Sequence, residues 1–594
     1  MTPTTAELSR LLFGPDRQRV HEPWRELTAD PALHSRPEAP VADRIAASYR
    51  RLRQLNAHTD PAALAGDPLL LAALHEWTAV VDGGLTVLAG IHYNLFLGTL
   101  LDHDRSPKRP LDDYLRMDRT GTFLCTELGH GNDAAALETV ADYDRTDRGF
   151  TLHTPGPSAR KFMPNTGPAG GPKSAVVAAR LRVDGRDHGV FLFLVPLTGG
   201  DGRPLPGIAV DPLPERPGSP VDHCLTSFDR VGLPYEALLT GAHGRLADDG
   251  TFTSAVGSKR KRFLTAIGRV TVGKLCMSAA AIGGARAALA TAVRYAQHRD
   301  VAGARPDRRV PVWAHRTHHG PLLDGLATAY AMTALHRAAA ECWARHDPAA
   351  PEEPAAAERQ VAIAKGWTTW QARDLVTEAR ERCGAQGLLT VNGITAYASD
   401  VEGTITAEGD NLALWAKAAA ELLLEDPRPA AAPVTGGLDD PAVRQGLLRT
   451  VVRLRLARAR ARLREAPAGD GLRRWNAAAP DALAAVTARA EHDAAAALLA
   501  WAEDAREDTA RSLLHDLHRV FTLRRIDAHG TLLLGAGELT ACQAAQLPGL
   551  QERSVARLSE HALALVDAFA LPDSFYARRP ITGPGYQEAF VHSG

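Results

Sequence analysis

The feature that most restricts the fold is a change of hydrophobic period, made twice along the chain. Before residue 119, stretches such as VADRIAASYRRLRQLNAH and DPLLLAALHEWTAVVDGGLTVLAG repeat apolar residues at three and four, the spacing of one helix face. From about 119 to 255 the chain breaks into short runs punctuated by Gly, Pro and Asp, among them GTFLCTEL, LETVADYD, GFTLHTP and GVFLFLVPL. Runs of this kind predict strands. SAVVAARLRVDGRDHGVFLFLVPL reads as two strands around Asp184-Gly185, because Gly takes the positive φ that tight hairpin turns often need. Helical spacing returns near 256 and holds to about 425, DPRPAAAPVTGGLDDP at 426–441 reads as a linker, and a second helical unit fills 442–594. The order helix, β, helix, linker, helix excludes doubly wound alternation and predicts a mainly α chain with a central β domain. There is no internal repeat.

Composition narrows the partners. The 594 residues correspond to roughly four domain-sized units by length alone. With 45% hydrophobic residues, 23% charged and a net charge of -1, the chain can bury large cores and has no bias toward polyanions, so nucleic acid is not an expected partner. No run reaches the roughly 18 consecutive apolar residues of a membrane span, and MTPTTAELSRLLFGPDRQ lacks a signal-peptide layout. Six scattered cysteines form no CxxC pair, FVHSG is not the S-K-L address, and heavy use of Ala, Arg and Gly suggests a bacterial genome of high GC content. The expectation is a bacterial cytoplasmic protein.

Several chemistries lose their usual support. No GxGxxG follows a strand, and GxxxxGK[ST], GxSxG and HExxH do not occur. HRTHH, with His315, His318 and His319, and HDLH, with His515 and His518, place imidazoles on one helix face. Neither carries a carboxylate in the pattern that a metal site needs, so they read as partly exposed helix histidines and no metal is expected. The basic run SKRKR at 258–262 reads as a solvated loop or a contact for CoA phosphates or an acidic carrier protein, and the Arg-rich helix VVRLRLARARARLREA as a solvated face.

Four stretches in fixed order carry more. They are GTFLCTELGHGNDAAALETVADYD from 121, GFTLHTPGPSARKFMPNTGPAGGPKSAVVAARL from 149, AVRYAQHRDV from 292 with VPVWAHRTHHGPLL after it, and ARERCGAQGLLTVNGI from 379 leading to TAEGDN at 406. Together they resemble the acyl-CoA oxidase branch of the acyl-CoA dehydrogenase superfamily, well over 120–425 and more faintly to LVDAFALPDSF at 565–575. The resemblance implies a helical domain at 1–118, a β-barrel domain at 119–255, a helical domain at 256–425 bearing the catalytic Glu, the linker at 426–441 and an extra helical oxidase-type domain at 442–594. It also implies FAD held without a Rossmann fold, an acyl-CoA or acyl-carrier thioester as substrate, O2 as electron acceptor giving H2O2, and a homodimer.

The resemblance assigns roles residue by residue. Glu408 occupies the place of the Glu that acts as catalytic base in the E-G-[DE]-N motif, where an apolar pocket would raise its pKa and its own N–H would help bind the thioester oxygen. Read without the resemblance, Asp410 or Asn411 caps a helix and Glu408 enriches its negative end; both readings can hold together. Thr126 matches the Thr of T-E-x-G-H-G that bonds the flavin ring. Gly129, Gly131 and Gly409 would border the thioester, while Asn165 and Thr166 fall at the second flavin contact of the β domain. Arg299, after RYA, matches an Arg that reaches the FAD pyrophosphate, and it could instead end its helix. His318 stands where relatives usually carry the Q of R-T-Q. Gln386 and Gly387 match a loop touching the adenosine half of FAD across a dimer interface, although Ala385 and Leu388 depart from C-G-G-x-G-Y. Asp410 completes the cofactor-side set. Rival readings are a dehydrogenase passing electrons to an electron-transfer flavoprotein, a biosynthetic desaturase of a carrier-protein thioester, and a non-catalytic scaffold.

Overall fold

The computed structural model describes residues 2–103, 109–241, 243–247, 249–305, 307–350, 352–425, 436–467 and 469–591. The linker expected at 426–441 falls largely outside them; a turn at 438–440 leads into the helix Pro441–Glu465. Two compact units divide the chain: 32–276, and 1–31 together with 277–594.

In the unit 32–276, helices including Val41–Asn56 and Pro68–Val81 precede the strands β1 (Thr120–Leu124), β2 (Val140–Asp144), β3 (Gly149–His153), β4 (Lys161–Pro164), β5 (Lys173–Val183), β6 (Arg186–Pro196), β7 (Ile208–Pro212), β8 (His223–Phe228), β9 (Val231–Pro234) and β10 (Leu238–Leu239). One sheet runs β10-β6-β5-β2-β3-β9, with β1 also paired to β5; a second runs β4-β8-β7. The expected hairpin is β5–β6: Val183 pairs with Arg186, and Asp184 and Gly185 take φ of 52° and 73°, both left-handed as a type I′ turn requires. Inward residues such as Leu124, Phe150, Val177, Phe191 and Phe193 form the core, each large side chain contributing about 1.5–3 kcal/mol by leaving water. Strands β4 and β8 were not legible, because KFMP and HCLTSF are short and do not alternate cleanly.

Two helical stretches, Gly83–Asp102 and Val270–His298, are long and apolar enough to cross a membrane by composition, yet both are buried inside the protein. The first contains a π-helical segment, Gly90–Gly98. Its His92 presents Nδ1 to the Gly121 N–H of β1 at 3.0 Å.

The other unit is helical, built around Arg316–Arg345, Glu353–Arg382, Asn411–Leu424, Pro441–Glu465, Gly471–Asp504 and Asp508–Ala528. The N-terminal helix Pro3–Phe13 belongs with it, through Arg10 to Asp504 and Arg337 to the Leu12 carbonyl. The Arg-rich helix 441–465 is paired rather than merely solvated. Arg453 meets Glu538, Arg455 meets Asp481, and Arg460 donates to the carbonyls of Leu422, Leu423 and Glu425 at the end of helix 411–424. A cation at that end satisfies carbonyls no helical N–H can reach.

Candidate active site

Glu408 sits in the turn between helices Ile394–Thr406 and Asn411–Leu424. It is half-buried with φ of 59°, a left-handed conformation costing a non-glycine residue about 1–2 kcal/mol and concentrated at functional sites. Gly409 follows at φ 96°, where an L side chain would be strained. The cap is Asp410, whose carboxylate accepts the Leu412 N–H at 2.9 Å.

Beneath the turn lies Lys365, with no exposed surface. Its ammonium donates to the Ile405 carbonyl at 2.8 Å, the Gly409 carbonyl at 2.9 Å and Asn411 Oδ1 at 2.7 Å. Asn411, equally buried, donates to the Gly366 carbonyl and to Thr369 Oγ1, and the Thr369 hydroxyl donates to the Lys365 carbonyl. One side chain of helix 353–382 therefore grips the chain on both sides of Glu408.

Elsewhere in this unit, Arg299 is exposed just past helix 270–298, its guanidinium 3.4 Å from the Tyr586 hydroxyl. His318 stands in the first turn of helix 316–345; burial, with Arg382 as the next influence, lowers its pKa to about 4, so the ring is neutral near pH 7. Its Nε2 is buried without a partner among the described residues. Gln386 is held by Asn392 Nδ2, which donates to its carbonyl at 2.9 Å and to Oε1 at 3.2 Å. At Gly387 a Cβ would collide with the Arg380 carbonyl, so only glycine fits there.

In the unit 32–276, Thr126 is half-buried and Gly129 and Gly131 are exposed on one turn. That turn zips onto the segment entering β4: Phe162 N–H to the Thr126 carbonyl, Leu128 N–H to Arg160, Gly129 N–H to Ser158. Glu127 anchors it from inside. Its carboxylate accepts from Lys161 Nζ at 2.9 Å, the N–H groups of Glu138 and Thr139, and the Thr139 hydroxyl. Burial alone would raise this carboxyl, but Lys161 and the donors hold it below the ordinary value.

Asn165 and Thr166 lie inside the unit 32–276. Asn165, at φ 67°, has no exposed surface; its Oδ1 lies 2.6 Å from the Tyr49 hydroxyl and its Nδ2 donates to the Gly121 carbonyl. Thr166 is 2% exposed, with its hydroxyl 3.2 Å from that of Thr226. Both side chains are enclosed and bonded within the protein rather than presented at an open surface. Asn165 joins Tyr49, Lys173 and Asp222 in a polar cluster, Lys173 Nζ lying 2.8 Å from the Tyr49 hydroxyl and 3.0 Å from Asp222.

Each unit by itself offers groups of a kind that suits the FAD the resemblance implies: in the helical unit a guanidinium fork for phosphate at Arg299 and, at His318, a buried nitrogen without a partner among the described residues; in the unit 32–276 an open turn at Thr126–Gly131. The basic run 258–262 lies on the helix Lys259–Ala266, and its Arg262 donates to the Val256 and His188 carbonyls. Among the described residues no three His, Cys, Asp or Glu side chains gather to hold a metal.

Lys365, Thr369 and the Glu127–Lys161 pair escaped the sequence reading, and Asn411, read there as a possible cap, is instead an internal partner of Lys365. The available signal at Lys365 was a charged residue amid the buried run Val361, Ala362, Ile363, Ala364 and Trp367. A charge placed there must have internal acceptors.

The family model described as "Acyl-CoA oxidase, C-alpha1 domain" matches residues 268–423, and that described as "Acyl-CoA oxidase" matches 440–576. A mouse "Acyl-coenzyme A oxidase-like protein" is 28% identical over 59% of this chain and 56% of its own length. A "Putative acyl-coenzyme A oxidase 3.2, peroxisomal" of Arabidopsis thaliana is 30% identical over 57% and 50%. The chain thus spans about half the length of the curated relatives it matches. Among solved structures, acyl-CoA oxidase 3 of Yarrowia lipolytica superposes with a TM-score of 0.86 at 22% identity, covering 99% of this chain and 90% of that one. Acyl-CoA oxidase-1 of Caenorhabditis elegans, complexed with FAD and ATP, gives 0.85 at 20%, covering 99% and 92%. These likenesses establish the fold. The names also overturn the expected bacterial cytoplasmic placement: the relatives are eukaryotic, and those from Arabidopsis thaliana and Homo sapiens are described as peroxisomal. Composition is a poor guide to compartment, because addresses of this kind are short segments read by receptors.

Proposed function

We infer that the chain belongs to the acyl-CoA oxidase branch of the acyl-CoA dehydrogenase superfamily, and from that premise we propose that it oxidises an acyl-CoA to the trans-2-enoyl thioester while O2 becomes H2O2. The observation that carries this reading is the Glu408 turn: a half-buried carboxylate in a left-handed conformation, fixed from beneath by Lys365. FAD, when bound, supplies the hydride acceptor for the β-hydrogen and the site of reoxidation by O2. Glu408 takes the α-hydrogen as a proton, made acidic by the thioester carbonyl, and its backbone N–H, as the resemblance implies, bonds the thioester oxygen as charge develops there. Thr126 is assigned to the flavin and Gly129 and Gly131 to the thioester by the resemblance, as are Asp410 to the cofactor and Gly409 to the thioester. Arg299 and His318 bind the cofactor's phosphate and polar edges.

The loop carrying Gln386 and Gly387 exposes Leu388, Leu389 and Val391 by 58%, 41% and 44%, and this apolar surface supports a homodimer contact there. The same reading keeps the five-segment domain plan. Its test is anaerobic bleaching of bound flavin by a panel of acyl-CoA and acyl-carrier thioesters, with Glu408→Gln in parallel. The substitution should slow bleaching by about 10²–10⁴-fold, the usual worth of a general base; bleaching at the parent rate removes Glu408 from the role. Reoxidation in air with one peroxide per turnover supports the oxidase, and slow reoxidation favours an electron-transfer partner.

A further inference from the structure

Glu408 is flanked by two carbonyls, Ile405 and Gly409, that receive hydrogen bonds from the same ammonium, and the third acceptor of that ammonium is the first residue of the next helix. The arrangement is closed on itself, since Asn411 donates to Thr369 Oγ1 and Thr369 donates to the Lys365 carbonyl one turn earlier on the same helix. The turn cannot rotate Glu408 without breaking a buried charge-assisted bond, and such bonds are roughly twice as strong as neutral ones. Asp410, by contrast, fixes only the start of the following helix.

We infer that Lys365 is a positioning residue for proton abstraction: it holds the strained turn in the conformation that aims the Glu408 carboxylate, without touching substrate itself. The inference rests on the assignment of Glu408 as the base. Lys365→Met removes all three donors at similar length; Lys365→Arg keeps the charge but replaces a compact ammonium by a planar fork that does not match three converging acceptors.

The direct readout is α-hydrogen exchange into D2O from a 3-thia-acyl-CoA, which presents an acidic α-hydrogen but no β-hydride, so exchange reports deprotonation alone. It is measured on the FAD-loaded protein together with the dissociation constant of the same thioester and the flavin content. The expected result is exchange slowed at least 30-fold in Lys365→Met and at least 10-fold in Lys365→Arg, with thioester affinity and flavin content within about 3-fold of the parent. Loss of affinity in step with rate would mean a general structural role and overturn the inference, as would exchange within 3-fold of the parent. If Lys365→Met fails to fold, Lys365→Arg decides by the same limits. Glu408→Gln, run alongside, separates the two claims. Parent-rate exchange in that variant defeats the base assignment, whereas its loss with normal exchange in the lysine variants defeats only the positioning role.

Discussion

Two turns of this protein, one in each compact unit, are held from inside by a buried lysine, and they are held differently. Lys161, under the Thr126 turn, meets a buried carboxylate, Glu127, as well as the carbonyls of Cys125 and Ala178. Lys365, under the Glu408 turn, gives its hydrogens to two carbonyls and an amide oxygen. An ion pair makes a turn rigid but puts two charges at stake, because removing one partner strands the other in a medium that solvates it poorly. The three dipolar acceptors of Lys365 lie on both sides of Glu408, in the chain that forms the turn itself. The largest effect should therefore be structural and lie in the unit 32–276. Lys161→Met is expected to cost about 3–5 kcal/mol in urea unfolding, while Lys161→Met with Glu127→Leu recovers most of it. If the double variant is no better than the single, stranded charge is not what the lysine prevents.

Acid should separate the holding devices further. Glu127 lies below its ordinary value in the folded state, so its stabilisation is fully present above the unfolded carboxylate pKa and is lost only as pH falls through the lower, folded value. Between pH 6.5 and 4 the loss comes instead from buried histidines of the same unit. Burial lowers both His75 and His92 to about 4. The unfolded chain binds protons at these rings from pH 6.5 downward while the folded one does not, so stability falls as pH falls across that window. About 1–2 kcal/mol per histidine should be lost between pH 7 and 5. For His92 the cause is visible, since protonated Nδ1 can no longer accept the Gly121 N–H. Unfolding at the two pH values checks this, and an unchanged difference in a variant carrying His75→Gln and His92→Gln would exclude both rings.

What was legible in the sequence follows the reach of the interactions. The β5–β6 hairpin could be read because Asp184 and Gly185 fix it locally, and the Glu408 turn because Glu408, Gly409 and Asp410 adjoin. The lysine under that turn could not, because it comes from an earlier helix and its acceptors are mostly main-chain carbonyls without a side-chain signature. The same holds for Tyr49, which reaches Asn165 from a helix 116 positions away. The grouping of residues 1–31 with the helical unit depends on contacts such as Arg10 to Asp504, which no periodicity reports. Short strands like β4 were missed because each is completed by a partner distant in sequence, Lys161 opposite Thr226 for instance.

The smallest effect sharpens the comparison from the other side. Asp410 caps helix 411–424 through one hydrogen bond to Leu412 at the protein surface, where water can replace it. Asp410→Ala should cost about 1 kcal/mol, the usual loss of an N-cap, measured by urea unfolding with an unchanged dependence on denaturant. The argument that the turn is held from beneath requires this number to be small. Lys365 and Asn411 remain bonded in the variant, so the carbonyls on either side of Glu408 keep their donor. A loss near 3 kcal/mol would place the stability of the turn in its cap, and the buried lysine would then be filling space that the cap had already organised.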